Sequence, residues 1–329
     1  MTGAPLPSGA VAAADTAAPE GPVTALPPGG LPWDLSLALT ANDGTRLRGA
    51  IWNPGGPRGL ALLLTGRTEF LEKASLPAAA LVARGFAVAS LDWRGQGLST
   101  RLLDEPLKGH VARFEDYDRD LAALLAAPEV TRLGPPRLVF AHSMGGAITL
   151  GATARGLLPP LPLILSAPMA DIAGRGLTAL LMDQGARAAR AIGLGRRWPP
   201  LPKPEVPYVF NGFDGNCLTG DERNYAWLTE ALRAAPALQL GLPTLGWLAA
   251  AQGAVRQIAA LPRDRVGPAL ICLGTREGVV DPDAVKALAA RLGAGPLMLE
   301  GARHDLPIET ADHRERLWAA ADDFIAARL

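Results

Sequence analysis

The chain has 329 residues and 49% of them are hydrophobic, enough to bury a large core and far from the composition of a disordered chain. The 32 Lys and Arg are balanced by 32 Asp and Glu, so the basic stripe typical of nucleic-acid binders is missing and no nucleic-acid partner is expected. The two cysteines, Cys217 and Cys272, lie far apart without C-x-x-C spacing, which argues against a disulfide framework or a zinc site.

Residues 1–32 are mostly Ala, Pro, Gly, Thr and Ser, and the first basic residue of the chain is Arg46. A secretory leader needs positive charge ahead of an apolar stretch, and no apolar run approaches the roughly 18 residues of a membrane span. The expectation is a soluble, cytoplasmic chain with a disordered tail over 1–32, serving as adaptor, anchor or plain extension. Leu35–Leu39 then alternates, Asn42-Asp43-Gly44 signals a hairpin turn, and Arg46–Trp52 reads as the returning strand. Short continuous apolar runs follow at Leu60–Leu64, Phe86–Leu91, Leu138–Phe140, Leu161–Leu165, Ala269–Leu273 and Leu297–Leu299. Such runs suit strands buried on both faces of a parallel sheet. Helical spacing separates them at Leu71–Arg84, Phe114–Ala127, Met144–Arg155, Pro282–Leu292 and His313–Leu329. The fold class expected is α/β, a mostly parallel sheet flanked by helices, with chemistry on loops at the carboxyl ends of the strands.

From 169 to 261 the alternation stops. Helical patterns at Leu177–Ala191, Tyr225–Ala234 and Leu245–Leu261 surround a proline-rich run from Trp198 to Pro204. The reading is a helical lid over 169–261, inserted between core segments 33–168 and 262–329. The alternative is a second packing layer with no role at the site.

The strongest chemical signal is Ala141-His142-Ser143-Met144-Gly145, a small-x-Ser-x-Gly turn leading from a strand pattern straight into a helix. That context is what a nucleophile elbow requires: small neighbours permit a tight turn that lifts the Ser143 hydroxyl above the sheet. A serine hydroxyl needs a base. Of His110, His142, His304 and His313, only His304 sits in a loop directly after a late strand pattern. His142 reads as pocket packing, His313 as a helix-start or surface residue, and His110 as structural. The acid that orients the base is sought after Ala269–Leu273, where Glu277 lies in the loop. Asp281, the alternative, precedes Pro282 as an N-cap precedes the first residue of a helix. Donors for an oxyanion are expected from the backbone N–H of Met144 and of Arg67, with Gly66 allowing close approach. The Arg67 side chain is left as wall or ion-pair partner.

These residues carry a resemblance. Gly66-Arg67-Thr68-Glu69-Phe70-Leu71-Glu72-Lys73, Asp92-Trp93-Arg94-Gly95-Gln96-Gly97-Leu98-Ser99, Ala141-His142-Ser143-Met144-Gly145-Gly146, Leu165-Ser166-Ala167-Pro168-Met169, Asn216-Cys217-Leu218-Thr219-Gly220-Asp221 and Gly301-Ala302-Arg303-His304 resemble the branch of the α/β hydrolases that holds bacterial lysophospholipases and monoacylglycerol lipases. Coverage runs from about Trp33 to Leu329. The Gly-Arg-Thr-Glu block is closer to the lysophospholipases, since the monoacylglycerol lipases open that loop with His-Gly. Ala141 stands for the first elbow glycine, and Glu277 where Asp is commoner. The resemblance implies hydrolysis of a single-chain acyl ester by Ser143, His304 and Glu277, without metal or organic cofactor. It also implies a small lipid ester as substrate, which leaves room for peripheral contact with the inner membrane surface. Leu177, Leu180, Leu181 and Met182 are candidates for an acyl tunnel, or plain helix packing. Arg175, Arg187, Arg190, Arg196, Arg197 and Lys203 are candidates for a phosphate head group, or a solvated surface. A short-chain esterase or peptide hydrolase, and a non-catalytic binding protein on the same fold, are the other readings.

Overall fold

The structure, a computed structural model, describes residues 21–172, 176–200 and 207–329, apart from the side chains of 176–183 and of Tyr208. A hairpin of β1 (Leu35–Thr40) and β2 (Arg46–Trp52) leads into β3 (Leu60–Leu64), β4 (Ala87–Leu91), β5 (Pro136–His142), β6 (Leu163–Ser166), β7 (Ala269–Gly274) and β8 (Leu297–Leu299). All eight join one sheet in the order β1-β2-β4-β3-β5-β6-β7-β8. From β3 to β8 the pairing is parallel, while β2 runs against both of its neighbours. The chain steps from β3 outward to β4 and then back across to β5. The loops leaving β3 and β5 therefore diverge and open a crevice at their carboxyl ends, where open α/β sheets bind ligands.

Every residue of β3 is buried because helices cover both faces of the sheet. On one face, Leu62, Leu64, Val139 and Ala141 share an apolar cluster with α2 (Asp116–Ala126), α4 (Met144–Ala154) and α8 (Pro282–Arg291). On the other, Ala61, Leu63, Leu138 and Phe140 pack with α1 (Leu71–Ala83) and α9 (Ala311–Arg328). The alternation of faces along each strand has sorted these neighbours. A one-turn helix, α3 (Pro128–Thr131), precedes β5. The expected elements fall within three residues of their observed bounds.

Between β6 and β7 lie α5 (Gly176–Ala191), α6 (Glu222–Ala234) and α7 (Leu245–Ala259), with no strand among the described residues. The segment expected as one lid divides by packing. α7 sends Trp247, Ala250, Ala251, Ala254 and Ile258 into the main apolar cluster beside α4, so it belongs to the core layer. α6 builds a separate cluster from Tyr225, Trp227, Leu228 and Leu232, which reaches Phe70 at the crevice. Backbone bonds from Gly241 N–H to the Leu107 carbonyl (2.8 Å) and from Thr244 N–H to the Gly109 carbonyl (2.8 Å) fasten the inserted segment to the core.

Residues 21–32, expected within the disordered tail, instead lie against the domain. Val23 N–H donates to Glu72 Oε1 (3.0 Å), the Trp227 indole to the Ala25 carbonyl (2.8 Å) and the Trp52 indole to the Leu31 carbonyl (2.8 Å). The bonds use main-chain atoms of the strap, which composition does not reveal. Residues 1–20 lie outside the described residues. Among the described residues, no helix is long and apolar enough to cross a membrane.

Candidate active site

Ser143 caps α4 from the end of β5 with φ 51° and ψ −117°, a backbone state few non-glycine residues adopt and one that clusters at functional sites. The turn holds because its neighbours are small. A Cβ on Gly145 would stand 2.2 Å from the Leu64 carbonyl oxygen and 2.6 Å from that of Thr65. The hydroxyl is presented at the crevice, and His304 Nε2 lies 2.9 Å from Ser143 Oγ. His304 is the fifth residue after β8 ends at Leu299, in a loop held from the inserted segment. Its N–H donates to the Cys217 carbonyl (3.2 Å), and the next N–H, of Asp305, to the Leu218 carbonyl (2.7 Å).

On its other side, His304 Nδ1 lies 2.8 Å from Glu277 Oε2. Glu277 follows β7, and its Oε1 accepts the N–H groups of Val279 (2.7 Å) and Val280 (3.1 Å). Burial pushes the Glu277 carboxyl up, but the His304 hydrogen bond and charge and these two amides outweigh it and hold the group below its ordinary value. Asp281, the other carboxylate weighed, caps α8 by accepting from the N–H of Asp283 (2.8 Å) and of Ala284 (3.2 Å). It is not the carboxylate on His304.

The loop after β3 brings Gly66 against the serine, where a Cβ would lie 3.1 Å from Ser143 Cβ. Met144 is the first residue of α4, where a backbone N–H has no acceptor within the helix. The Arg67 guanidinium turns to the inserted segment, donating to the Gly241 carbonyl (2.5 Å) and lying 5.3 Å from the Trp247 ring centre. The guanidinium thereby links the loop after β3 to the inserted segment. Arg67, Ser143, Met144 and His304 line a cavity of about 330 Å³, completed by Met169, Ile172, Leu218, Leu248 and Val280 among others. The side chains of Leu177, Leu180, Leu181 and Met182 lie outside the described residues, as do Arg175 and Lys203.

His142 packs beside the serine with Nδ1 3.0 Å from the Ser166 carbonyl, so that nitrogen carries the proton. Burial pushes its pKa down, against the nearby Glu69 and Asp305 carboxylates. Behind it lie Glu69, Lys73 and Asp305, all buried, which sequence reasoning passed over. Glu69 and Lys73 have the spacing of an ordinary helix-surface pair, and Asp305 is remote in sequence. The only signals were the position of Asp305 next to His304 and of the pair within the loop after β3.

A mostly parallel sheet with a serine elbow after its central strand, an acid after β7 and a histidine after β8 defines the α/β hydrolases. Within that class the chain belongs to the family described as serine aminopeptidase, S33, which matches residues 55–311. It is 32% identical over 284 residues to the lysophospholipase L2 of Escherichia coli K12, spanning 80% of this chain and 79% of that one. The fold is similar to that of a carboxyl esterase from Bacillus coagulans solved with glycerol (TM-score 0.67, 18% identity, 89% of this chain and 98% of that one). It is also similar to a soluble variant of monoglyceride lipase from Saccharomyces cerevisiae (TM-score 0.63, 17% identity, 89% and 96%).

Proposed function

We propose that the protein is a serine hydrolase that cleaves the acyl ester of a single-chain lipid, a lysophospholipid or a monoacylglycerol. The observation that carries this reading is the hydrogen-bonded row Ser143–His304–Glu277 opening onto a cavity walled by Met144, Met169, Ile172, Leu218, Leu248 and Val280. Likeness to a lysophospholipase along four fifths of the chain supports the lipid over a short ester or a peptide.

The geometry supports the following steps. His304 Nε2 takes the proton of Ser143 Oγ as that oxygen attacks the ester carbonyl. The negative oxygen of the tetrahedral intermediate is stabilised by the backbone N–H groups of Met144 and Arg67. Collapse expels the alkoxide, a glycerophosphodiester or glycerol, which receives the proton from His304. The acyl group stays on Ser143. Water then attacks the acyl-enzyme with His304 again as base, releasing fatty acid and restoring the serine. Throughout, Glu277 keeps the proton of neutral His304 on Nδ1 and stabilises the imidazolium when it forms.

The test is fatty-acid release from lysophosphatidylcholine and from monoacylglycerol in parallel, with Ser143→Ala as control and a proline-containing peptide anilide as the competing substrate. Release that disappears in Ser143→Ala supports the reading, and the better lipid identifies the head group. A folded enzyme that is labelled by fluorophosphonate yet releases no fatty acid refutes the lipid assignment.

A further inference from the structure

Lys73 lies near the start of α1 with its ammonium among carboxylates rather than in water. Nζ is 2.7 Å from Glu69 Oε1 and also bonds Asp305 Oδ2. Lys73 is 6% exposed, Glu69 7% and Asp305 1%. Each partner leads to a different part of the site. The second oxygen of Glu69 accepts the N–H of Gly66, in the loop that supplies the Arg67 N–H. Asp305 is joined by one peptide bond to His304. A continuous path thus runs Gly66, Glu69, Lys73, Asp305, His304, with the α1 helix supplying its middle member.

Stability alone is a weak reason for such a group. Removing an ammonium and two carboxylates from water costs several kcal/mol per ion, and apolar trios of the same shape often serve a core as well or better. Burial pushes Lys73 toward neutrality, yet the charges of Asp305 and Glu69 outweigh it and hold the ammonium above its ordinary pKa. The charge therefore stays where the two loops meet. Its effect is geometric: the oxyanion donors and the base must keep their relative position to within a fraction of an ångström, because a displacement near 1 Å costs about 10²-fold in rate.

Resting on the function proposed above, we propose that Lys73 is a positioning residue for the hydrolysis, a buried tie that keeps the loop of Gly66 and Arg67 in register with His304. Lys73 lines the same cavity as Ser143 and His304, and its effect on the reaction is exerted through the two loops it joins.

The test compares Lys73→Met with the triple variant Glu69→Gln/Lys73→Met/Asp305→Asn, in which no unpaired charge is left buried. Thermal unfolding, kcat and KM on the preferred lipid ester are measured for both. Lys73→Met is expected to lower the unfolding temperature and to reduce kcat about 10²-fold, with KM nearly unchanged. The triple variant is expected to recover the unfolding temperature but not kcat, an outcome that a purely structural role does not produce. Recovery of kcat together with stability overturns the proposal, as does a Lys73→Met enzyme with wild-type kcat. Wild-type hydrolysis that survives Ser143→Ala overturns the functional reading and this inference with it, whereas loss in Ser143→Ala with recovery in the triple variant overturns this inference alone.

Discussion

Replacing Glu277 by Gln exchanges one carboxylate oxygen for an NH₂ group and tests the proposed direction of proton flow. Glu277 offers Oε1 to the amides of Val279 and Val280 and Oε2 to His304 Nδ1. A Gln has one acceptor oxygen. Two backbone N–H groups at 2.7 and 3.1 Å demand it, so the NH₂ faces His304 and turns Nδ1 into an acceptor. The imidazole proton then sits on Nε2, 2.9 Å from Ser143 Oγ, where a base is required and a donor is found. A wrong tautomer of this kind costs about 10⁴-fold in kcat, equivalent to roughly 5 kcal/mol of transition-state stabilisation. Fatty-acid release gives kcat, the rate of fluorophosphonate labelling reports the serine separately, and thermal unfolding shows whether the fold is intact. Asp281→Asn is the matched control. Asn caps a helix as well as Asp, so kcat is expected within about a factor of two of wild type. A folded Glu277→Gln enzyme that retains more than about a tenth of wild-type kcat refutes the tautomer argument.

Three further predictions concern the frame around the site. Gly145→Ala drives a methyl against the Leu64 and Thr65 carbonyls and is expected to cost about 3 kcal/mol, read as a lower unfolding temperature; an unchanged temperature refutes the clash. Arg48 pairs with Glu72 (2.8 Å) and Asp92 (2.7 Å) in full burial, so Arg48→Met strands two carboxylates and is expected to cost about 3–5 kcal/mol by urea unfolding. Burial pushes the Glu69 carboxyl up, but Lys73, His142 and the Gly66 N–H hold it down at about 2. Because Glu in an unfolded chain titrates near about 4.3, its contribution is complete above about pH 5 and is lost as pH falls toward 2. Wild type should therefore lose more stability than Glu69→Gln between pH 5 and pH 3 in urea titrations, and parallel curves refute this.

The sheet was legible because its central strands are buried on both faces and cannot tolerate polar residues. Leu60–Leu64 and Ala269–Leu273 announce themselves as uninterrupted apolar runs. Ser143 was legible for a local reason, a tight turn that needs small residues on either side. His304 and Glu277 were found by their positions after late strands, and the choice of Glu277 over Asp281 turned on recognising Asp281-Pro282 as a helix start. What stayed hidden depends on distant partners or on main-chain atoms. Lys73 reads as half of a local Glu–Lys pair, since nothing in its neighbourhood points 232 residues ahead to Asp305. The strap over 21–32 makes its bonds through Val23 N–H and the Ala25 and Leu31 carbonyls, main-chain groups that do not depend on side-chain identity. The packing of α7 into the core was equally obscure, because the apolar face of a cap helix and that of a core helix look alike in sequence.

The bond between the Trp227 indole and the Ala25 carbonyl joins positions 202 residues apart. During synthesis Ala25 leaves the ribosome long before Trp227 exists, and domains are built from the N-terminus onward at about 5–20 residues per second. The strap must therefore wait some 10–40 seconds for its α6 partner. Closing so long a loop costs chain entropy that only a nearly finished sheet can reduce by bringing the ends together. The seam between Ala25 and Trp227 can therefore close only after α6 has been made and the chain between them has brought the two positions together.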